Sequence, residues 1–181
     1  MKRQAAKYLL FIFVLFVAVT VFRRWFSFSY WPFWVGGLLG IFLPGIDHII
    51  YVYLLRPQEL TPQRIKAYIK TKQFRAALVL LYDTVGERVN LVFHTAFFQV
   101  IFLVLTFLVA TSSGSIFGKG LVTAASLHLL IDQLNDLSKV GNINRWFAAN
   151  PLMGEISLTN EKQKAYWVII LLLILFISLF V

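Results

Sequence analysis

The sequence predicts an all-α integral membrane helical bundle, with four to five transmembrane helices and an amphipathic helix on the cytoplasmic face. Three observations predict it. Of 181 residues, 59% are hydrophobic and 14% charged, with a mean hydropathy of +0.76; a soluble domain is about 45–50% apolar and about 25% charged. The apolar residues gather into runs, several of which approach the about 20 residues that a helix needs to cross a bilayer. Seventeen Lys and Arg, against eight Asp and Glu, lie mostly between those runs. That placement fits anionic headgroups and membrane topology, and we expect no nucleic-acid partner. The chain has no cysteine, which excludes disulfides, thiolate metal sites and cysteine nucleophiles.

The first run covers residues 8–22, behind Lys2, Arg3 and Lys7. It is followed by Arg23, Arg24, Trp25 and Phe26, not by the small residues of a signal-peptide cleavage site, so it reads as an uncleaved anchor. It is short for a span, and an interfacial helix is the alternative. The second run, 31–55, is interrupted by Pro44-Gly45 and carries Asp47 and His48 just beyond the break. Proline removes a ladder hydrogen bond and glycine loosens the backbone, so protein or a wet cavity has to satisfy the freed groups.

Residues 61–82 form the expected surface helix, with Thr61 as cap and Pro62 in the first turn. Ile65, Ile69 and Ala76 alternate there with Arg64, Lys66, Lys70 and Lys72, the pattern of a helix lying on anionic lipid. A third span is expected at about 89–110, a fourth at about 118–137 and a fifth at about 165–181, with a polar turn at 111–115. The loop at 138–164 places Trp146 and Phe147 at the headgroup interface, and Thr159-Asn160 caps the last helix. With the N-terminus cytoplasmic and five crossings, fourteen of the seventeen Lys and Arg fall inside, leaving Arg23, Arg24 and Lys119 outside. The positive-inside rule favours this orientation in an inner, cytoplasmic membrane.

All three histidines, His48, His94 and His128, fall inside these runs together with Asp47 and Asp132. An ionisable group in a span costs about 2.5–3.5 kcal/mol on insertion scales and usually marks function. His128 and Asp132 are four apart and share a helix face, which Asn135 and Asp136 extend. At about 1.5 Å per residue, Asp47, His48, His94 and Asp132 all lie roughly 9–12 Å from the cytoplasmic end of their runs, and His128 roughly 15 Å. One shared cluster is the economical reading. Three imidazoles and one or two carboxylates suit zinc, or manganese or iron. His48, His94, His128 and Asp132 are the candidate ligands. Asp47 and Asp132 are the candidate catalytic carboxylates, and which of the two ligates is open. Arg88 and Asp136 are candidate contacts to a substrate or lipid headgroup, with Asp136 solvated near the headgroups. Each histidine can also be a packing residue, and Asp132 can pair with His128 without a metal. The stretch 114–119 superficially resembles a phosphate loop, but its glycines are too close and Gly120 stands where Ser or Thr is needed.

These residues carry a resemblance. Residues 37–48, Gly-Leu-Leu-Gly-Ile-Phe-Leu-Pro-Gly-Ile-Asp-His, resemble the Pro-Asp-x-Asp-His motif of bacterial inner-membrane proteins described as membrane-bound metal-dependent hydrolases. The Arg-x-x-Thr-His-Ser motif of that family is similar to Arg88 and Phe93-His94-Thr95 at wider spacing, and its His-x-x-x-Asp motif to His128 and Asp132. Gly45 stands in place of the family's first aspartate, and no histidine precedes His48. The resemblance implies a metal-dependent hydrolase, and the missing ligands a single metal; the basic surface helix is expected to hold an anionic lipid or phosphorylated substrate near the opening, with Arg88 as its phosphate contact. A non-catalytic scaffold or regulator, and a small transporter or proton relay, are the other classes compatible with the residues. Membrane lipids are the expected partners, and the oligomeric state is open.

Overall fold

The structure is a computed structural model and describes residues 2–88, 91–148 and 158–181, with side chains from residue 10 onward. The described residues are helical, with no strands among them. The α-helices are α1 (Lys2–Phe22), α2 (Trp31–Phe42), α3 (Ile46–Ile50), α4 (Leu60–Lys70), α5 (Phe74–Asp83), α6 (Ala96–Ser112), α7 (Ile116–Lys139), α8 (Asn144–Ala148) and α9 (Asn160–Ser178).

Helix α7 is the hub, packed by α1, α2, α6 and α9. Its closest partner is α2, because small residues let the two backbones touch. A Cβ on Gly36 would stand 2.1 Å from the carbonyl oxygen of Phe117, and one on Gly40 would stand 2.2 Å from that of Leu121. Gly120 makes the reciprocal approach, facing the Phe33 carbonyl. Around this seam Phe16 of α1 stacks on Phe33 at 4.3 Å, and Leu127, Leu130, Ile170 and Ile174 complete the core. Buried polar side chains tie the other helices to α7. Gln99 of α6 and Gln133 exchange amide hydrogen bonds of 3.3 and 2.8 Å, the Tyr166 hydroxyl donates to Gln99 at 2.7 Å, and Thr106 meets Ser126 at 2.9 Å. Trp167 Nε1 donates to the Leu130 carbonyl at 3.0 Å. At the far end of the bundle Arg23 and Lys119 donate to the carbonyls of Leu179 and Phe180, at 2.9 and 3.3 Å. These two cations therefore complement the negative end of α9.

Among the described residues one helical segment, Phe28–Leu55, is long and apolar enough to cross a membrane, and Leu10–Phe22 and Ala96–Ser112 are shorter apolar helices. The outward faces of α6 and α9 are aliphatic and aromatic, with Val104, Leu105, Leu108, Leu172, Leu175 and Phe176 all exposed.

Several elements differ from the sequence expectation. The surface helix at 61–82 is a helical hairpin instead. Its turn forms because the Thr71 hydroxyl bonds back to the carbonyls of Ala67 and Tyr68, Lys72 takes a left-handed conformation (φ 59°), and the Gln73 amide reaches the Tyr68 carbonyl at 2.8 Å. The two arms close over Val52, Ile65 and Ala77. Thr61 is not the cap: Glu59 holds that position, and the Thr61 hydroxyl donates to Glu87. The third run starts its helix at Ala96 rather than near 89, with Thr95 capping the Phe98 amide; residues 89 and 90 lie outside the described residues. The expected loop at 138–164 contains α8, with Trp146 and Phe147 buried instead of interfacial; its residues 149–157 lie outside the described set. Thr159 sits at the N-cap of α9, but its side chain caps nothing.

Replacing Gly40 with valine forces α2 off α7. The thermal midpoint of the purified protein in detergent should fall, by the equivalent of about 1–3 kcal/mol for an overpacked contact. Gly86→Ala, where an added Cβ meets nothing within 4 Å, should leave that midpoint in place.

Candidate metal centre

The site begins at the Pro44-Gly45 break. Without a proline amide the chain tightens, and Leu43, Ile46, Asp47 and His48 donate to carbonyls three residues back, at 3.1–3.3 Å. The helix resumes as α3 and widens into a π-helical turn over Tyr51–Leu55. This rotation turns Asp47 into the protein, where it is completely buried.

The Asp47 carboxylate then organises the chain that precedes α6. One oxygen accepts the Val92 amide at 2.9 Å; the other accepts the amides of Phe93 at 2.7 Å and His94 at 3.2 Å, and it also lies 3.0 Å from His94 Nδ1. Three consecutive backbone donors of the loop before α6 are thereby satisfied by one side chain. His94 consequently reaches the site from the loop before α6 and not from a helical position, so its helix-based depth does not apply.

The far nitrogen of His94, Nε2, lies 3.1 Å from Asp132 Oδ2, and His128 Nε2 lies 3.2 Å from the same oxygen. His128 and Asp132 stack one turn apart on α7, as their spacing predicts. Ligand atoms of His94, His128 and Asp132 all fall within 4.8 Å of one another. Two imidazole nitrogens and one carboxylate oxygen match the donor set of a zinc site that keeps an open position, and iron or manganese takes such a set as well. The orientation of His94 fits too: when Nδ1–H donates to Asp47, the Nε2 lone pair faces Asp132 and His128, the usual carboxylate–histidine support for a metal ligand. The residues present therefore fit a single ion.

Two candidates take different roles from those expected. Asp47 stands outside the converging group; both its oxygens accept from the loop before α6, and it orients His94. His48 is not in the converging group. It follows Asp47 by about 100° of helix, so when Asp47 faces the loop the His48 ring is swung aside, stacking on His94 at 5.3 Å. Its Nδ1 is buried with no hydrogen-bond partner.

Asp136 and Arg88 also differ from the sequence reading. Asp136 is buried instead of solvated. It takes a bidentate pair from Arg145, at 2.6 and 2.7 Å, and a hydrogen bond from Trp146 Nε1 at 2.8 Å. Its carboxylate thereby holds Trp146 against the His94 ring, 5.5 Å between centroids. Arg88 is likewise buried, 2% exposed, and is not presented to headgroups. Sequence reasoning missed Trp146 as the wall of the site, and no local pattern marks it, because Asp136 and Trp146 meet only across the α7–α8 turn. It also missed the close α2–α7 seam, for which Gly36-x-x-x-Gly40 is a readable signal.

Compared with protein-family models, with curated proteins and with solved structures, the chain finds no match.

Asp47→Asn leaves a single acceptor oxygen for donors that now share two, and it puts an amide N–H₂ among buried N–H groups. It should cost about 1–3 kcal/mol, the penalty for stranded buried donors, read as a lower thermal midpoint. Metal affinity should fall by about 10–100-fold, as for other partners of ligating histidines.

Proposed function

We propose that this protein is a membrane-embedded, metal-dependent hydrolase whose His94, His128 and Asp132 hold one divalent ion, with zinc as the first choice. The observation that carries the reading is the convergence of three ligand atoms from two separate chain segments, with Nδ1 of the central histidine already engaged by the buried Asp47 carboxylate. Bound there, such an ion supplies Lewis acidity and an activated water at neutral pH. Asp47 sets the His94 tautomer and ring plane. Asp132 is the one carboxylate beside both ligand imidazoles and is partly open to solvent, its side chain 20% exposed. Trp146 excludes water from one wall of the site.

The bilayer supplies the solvent for the rest of the surface. The exposed aliphatic faces of α6 and α9, the exposed half of α1 and the long segment Phe28–Leu55 are more apolar than water tolerates over so many residues. On this reading the apolar runs make four to five crossings of an inner membrane, and the distribution of Lys and Arg favours a cytoplasmic N-terminus. The basic hairpin of α4 and α5 then lies against anionic headgroups, near the end of the bundle that carries the site.

A second reading rests on a specific observation. Asp132 Oδ2 lies at hydrogen-bond distance from both His94 and His128, so a protonated His94 can bridge Asp47 and Asp132 with no ion, as a purely structural network. Under that reading the chain is a scaffold.

Metal analysis separates the two. Protein purified without chelator should carry close to one ion per chain, and His94→Ala and His128→Ala should each lose it while His48→Ala keeps it. Metal-free wild type at full stability would establish the scaffold. Topology is tested independently, and the absence of cysteine makes the experiment clean. Single cysteines placed at Lys72 and at Ser113 should be labelled by impermeant reagents from opposite sides of the membrane; labelling from one side removes the multi-span arrangement.

A further inference from the structure

Helices α7 and α9 pass each other antiparallel. Lys119 meets the Phe180 carbonyl at one end, Trp167 meets the Leu130 carbonyl midway, and Gln163 takes the Ile143 amide just beyond the other end. Between them lies an open groove of about 410 Å³, lined by Leu134, Leu137 and Ser138 of α7 and by Lys164, Trp167 and Val168 of α9. That volume is in the range of about 300–1,000 Å³ typical of small-molecule sites.

Polarity runs in one direction along both walls. Ser138 and Lys164 lie at the end where α7 finishes and α9 begins, while Leu134 and Val168, both exposed, lie one turn deeper on their own helices. Trp167 is held in place by its 3.0 Å bond to the Leu130 carbonyl. The Ser138 hydroxyl donates to the Asn135 carbonyl at 3.0 Å, so its oxygen can still accept from a headgroup hydroxyl. Three exposed lysines surround this end: Lys139 closes α7, and Lys162 and Lys164 stand in the first two turns of α9, with Glu161 the one acid there. The ion pairs of the described residues use none of the three. The charge distribution places the same end towards the cytoplasm.

We infer that the α7–α9 groove binds one anionic glycerophospholipid of the cytoplasmic leaflet, with an acyl chain along Leu134, Trp167 and Val168 and the phosphate at the Lys164 ammonium. A cationic mouth above an apolar floor matches the head-to-tail order of a lipid in that leaflet, and an ammonium–phosphate contact is a charge-assisted hydrogen bond. A second copy of the chain seated here would bring the same lysines to the mouth and be repelled. Leu134 stands about 200° round α7 from Asp132, so the groove is separate from the candidate metal centre. The inference goes beyond the hydrolase reading and rests only on the chain being embedded in a bilayer.

The test delipidates the full chain in detergent and follows, by native mass spectrometry, its uptake of dioleoyl phosphatidylglycerol and of dioleoyl phosphatidylcholine. Wild type should bind one molecule of the anionic lipid more tightly than further copies, and more tightly than phosphatidylcholine. Lys164→Gln should lower that affinity about fivefold or more, the effect of one lysine at a headgroup, and leave phosphatidylcholine unchanged. Val168→Trp, which fills the groove, should lower the affinity for both lipids, and Lys72→Gln at the hairpin turn should lower neither. Should Val168→Trp fail to fold, Lys164→Gln, at an exposed position, decides alone. Equal affinity for the two lipids overturns the inference, as does an affinity indifferent to Lys164→Gln or lowered as much by Lys72→Gln. Equal competition by glycerol phosphate, which has no acyl chain, also overturns it. So does a dimer that Val168→Trp dissociates, which makes the groove a contact between copies. Lys164→Gln should keep the wild-type metal load, so the two readings fail separately: Lys164-dependent lipid binding without metal removes the hydrolase and keeps the groove, and metal without lipid binding does the reverse.

Discussion

One buried carboxylate sets the geometry on which the rest of the site depends. Asp47 is placed by a proline break, and it draws together three consecutive backbone amides and an imidazole. An ionised carboxylate has about four acceptor positions, and this one uses four. The loop before α6 has no other described means of satisfying those donors, and a buried unsatisfied amide is expensive. The same contact thereby orders the loop, sets where α6 begins, and fixes which nitrogen of His94 faces α7. One residue thereby satisfies the backbone of the loop and orients the imidazole that faces α7.

The second half of the site comes from α7, and its distance from Asp47 is governed by glycine. Carbonyls of α7 lie where side chains of α2 would otherwise stand, so the two helices sit as close as backbones allow. Because α3 continues the chain of α2, this seam sets how far Asp47 lies from His128 and Asp132. Gln99, Gln133 and Tyr166 then pin α6 and α9 to the same hub. Such interhelical amide bonds are worth about 0.6–2 kcal/mol each in a membrane, and their geometry gives register as well as stability.

The ionic groups around the centre divide into two kinds. Asp136 is fully used: Arg145 and Trp146 saturate it, and the product is a fixed aromatic wall. Arg88 is as buried and has only neutral partners. Paired buried charges specify structure, whereas an unpaired one carries a standing electrostatic cost. That contrast is why the two residues, grouped together as substrate contacts on sequence grounds, are separated by the structure.

From the sequence alone, composition and periodicity determined the helical class, the apolar runs, the break at Pro44-Gly45 and the pairing of His128 with Asp132, because each of these is a property of local spacing. The grouping of His94 with that pair was legible too, as an expectation about depth, although the helical position assumed for it was not the one found. What the tertiary structure decided was the division of labour: Asp47 as a backbone clamp, His48 turned aside, Asp136 locked to α8, Arg88 enclosed, and the 61–82 segment folded into a hairpin. Neighbouring residues on a helix point about 100° apart, so once Asp47 is captured by a loop 45 residues away, His48 has to look elsewhere. Hydrogen-bond demand across that separation chose between them, and no local pattern in the chain records such a demand.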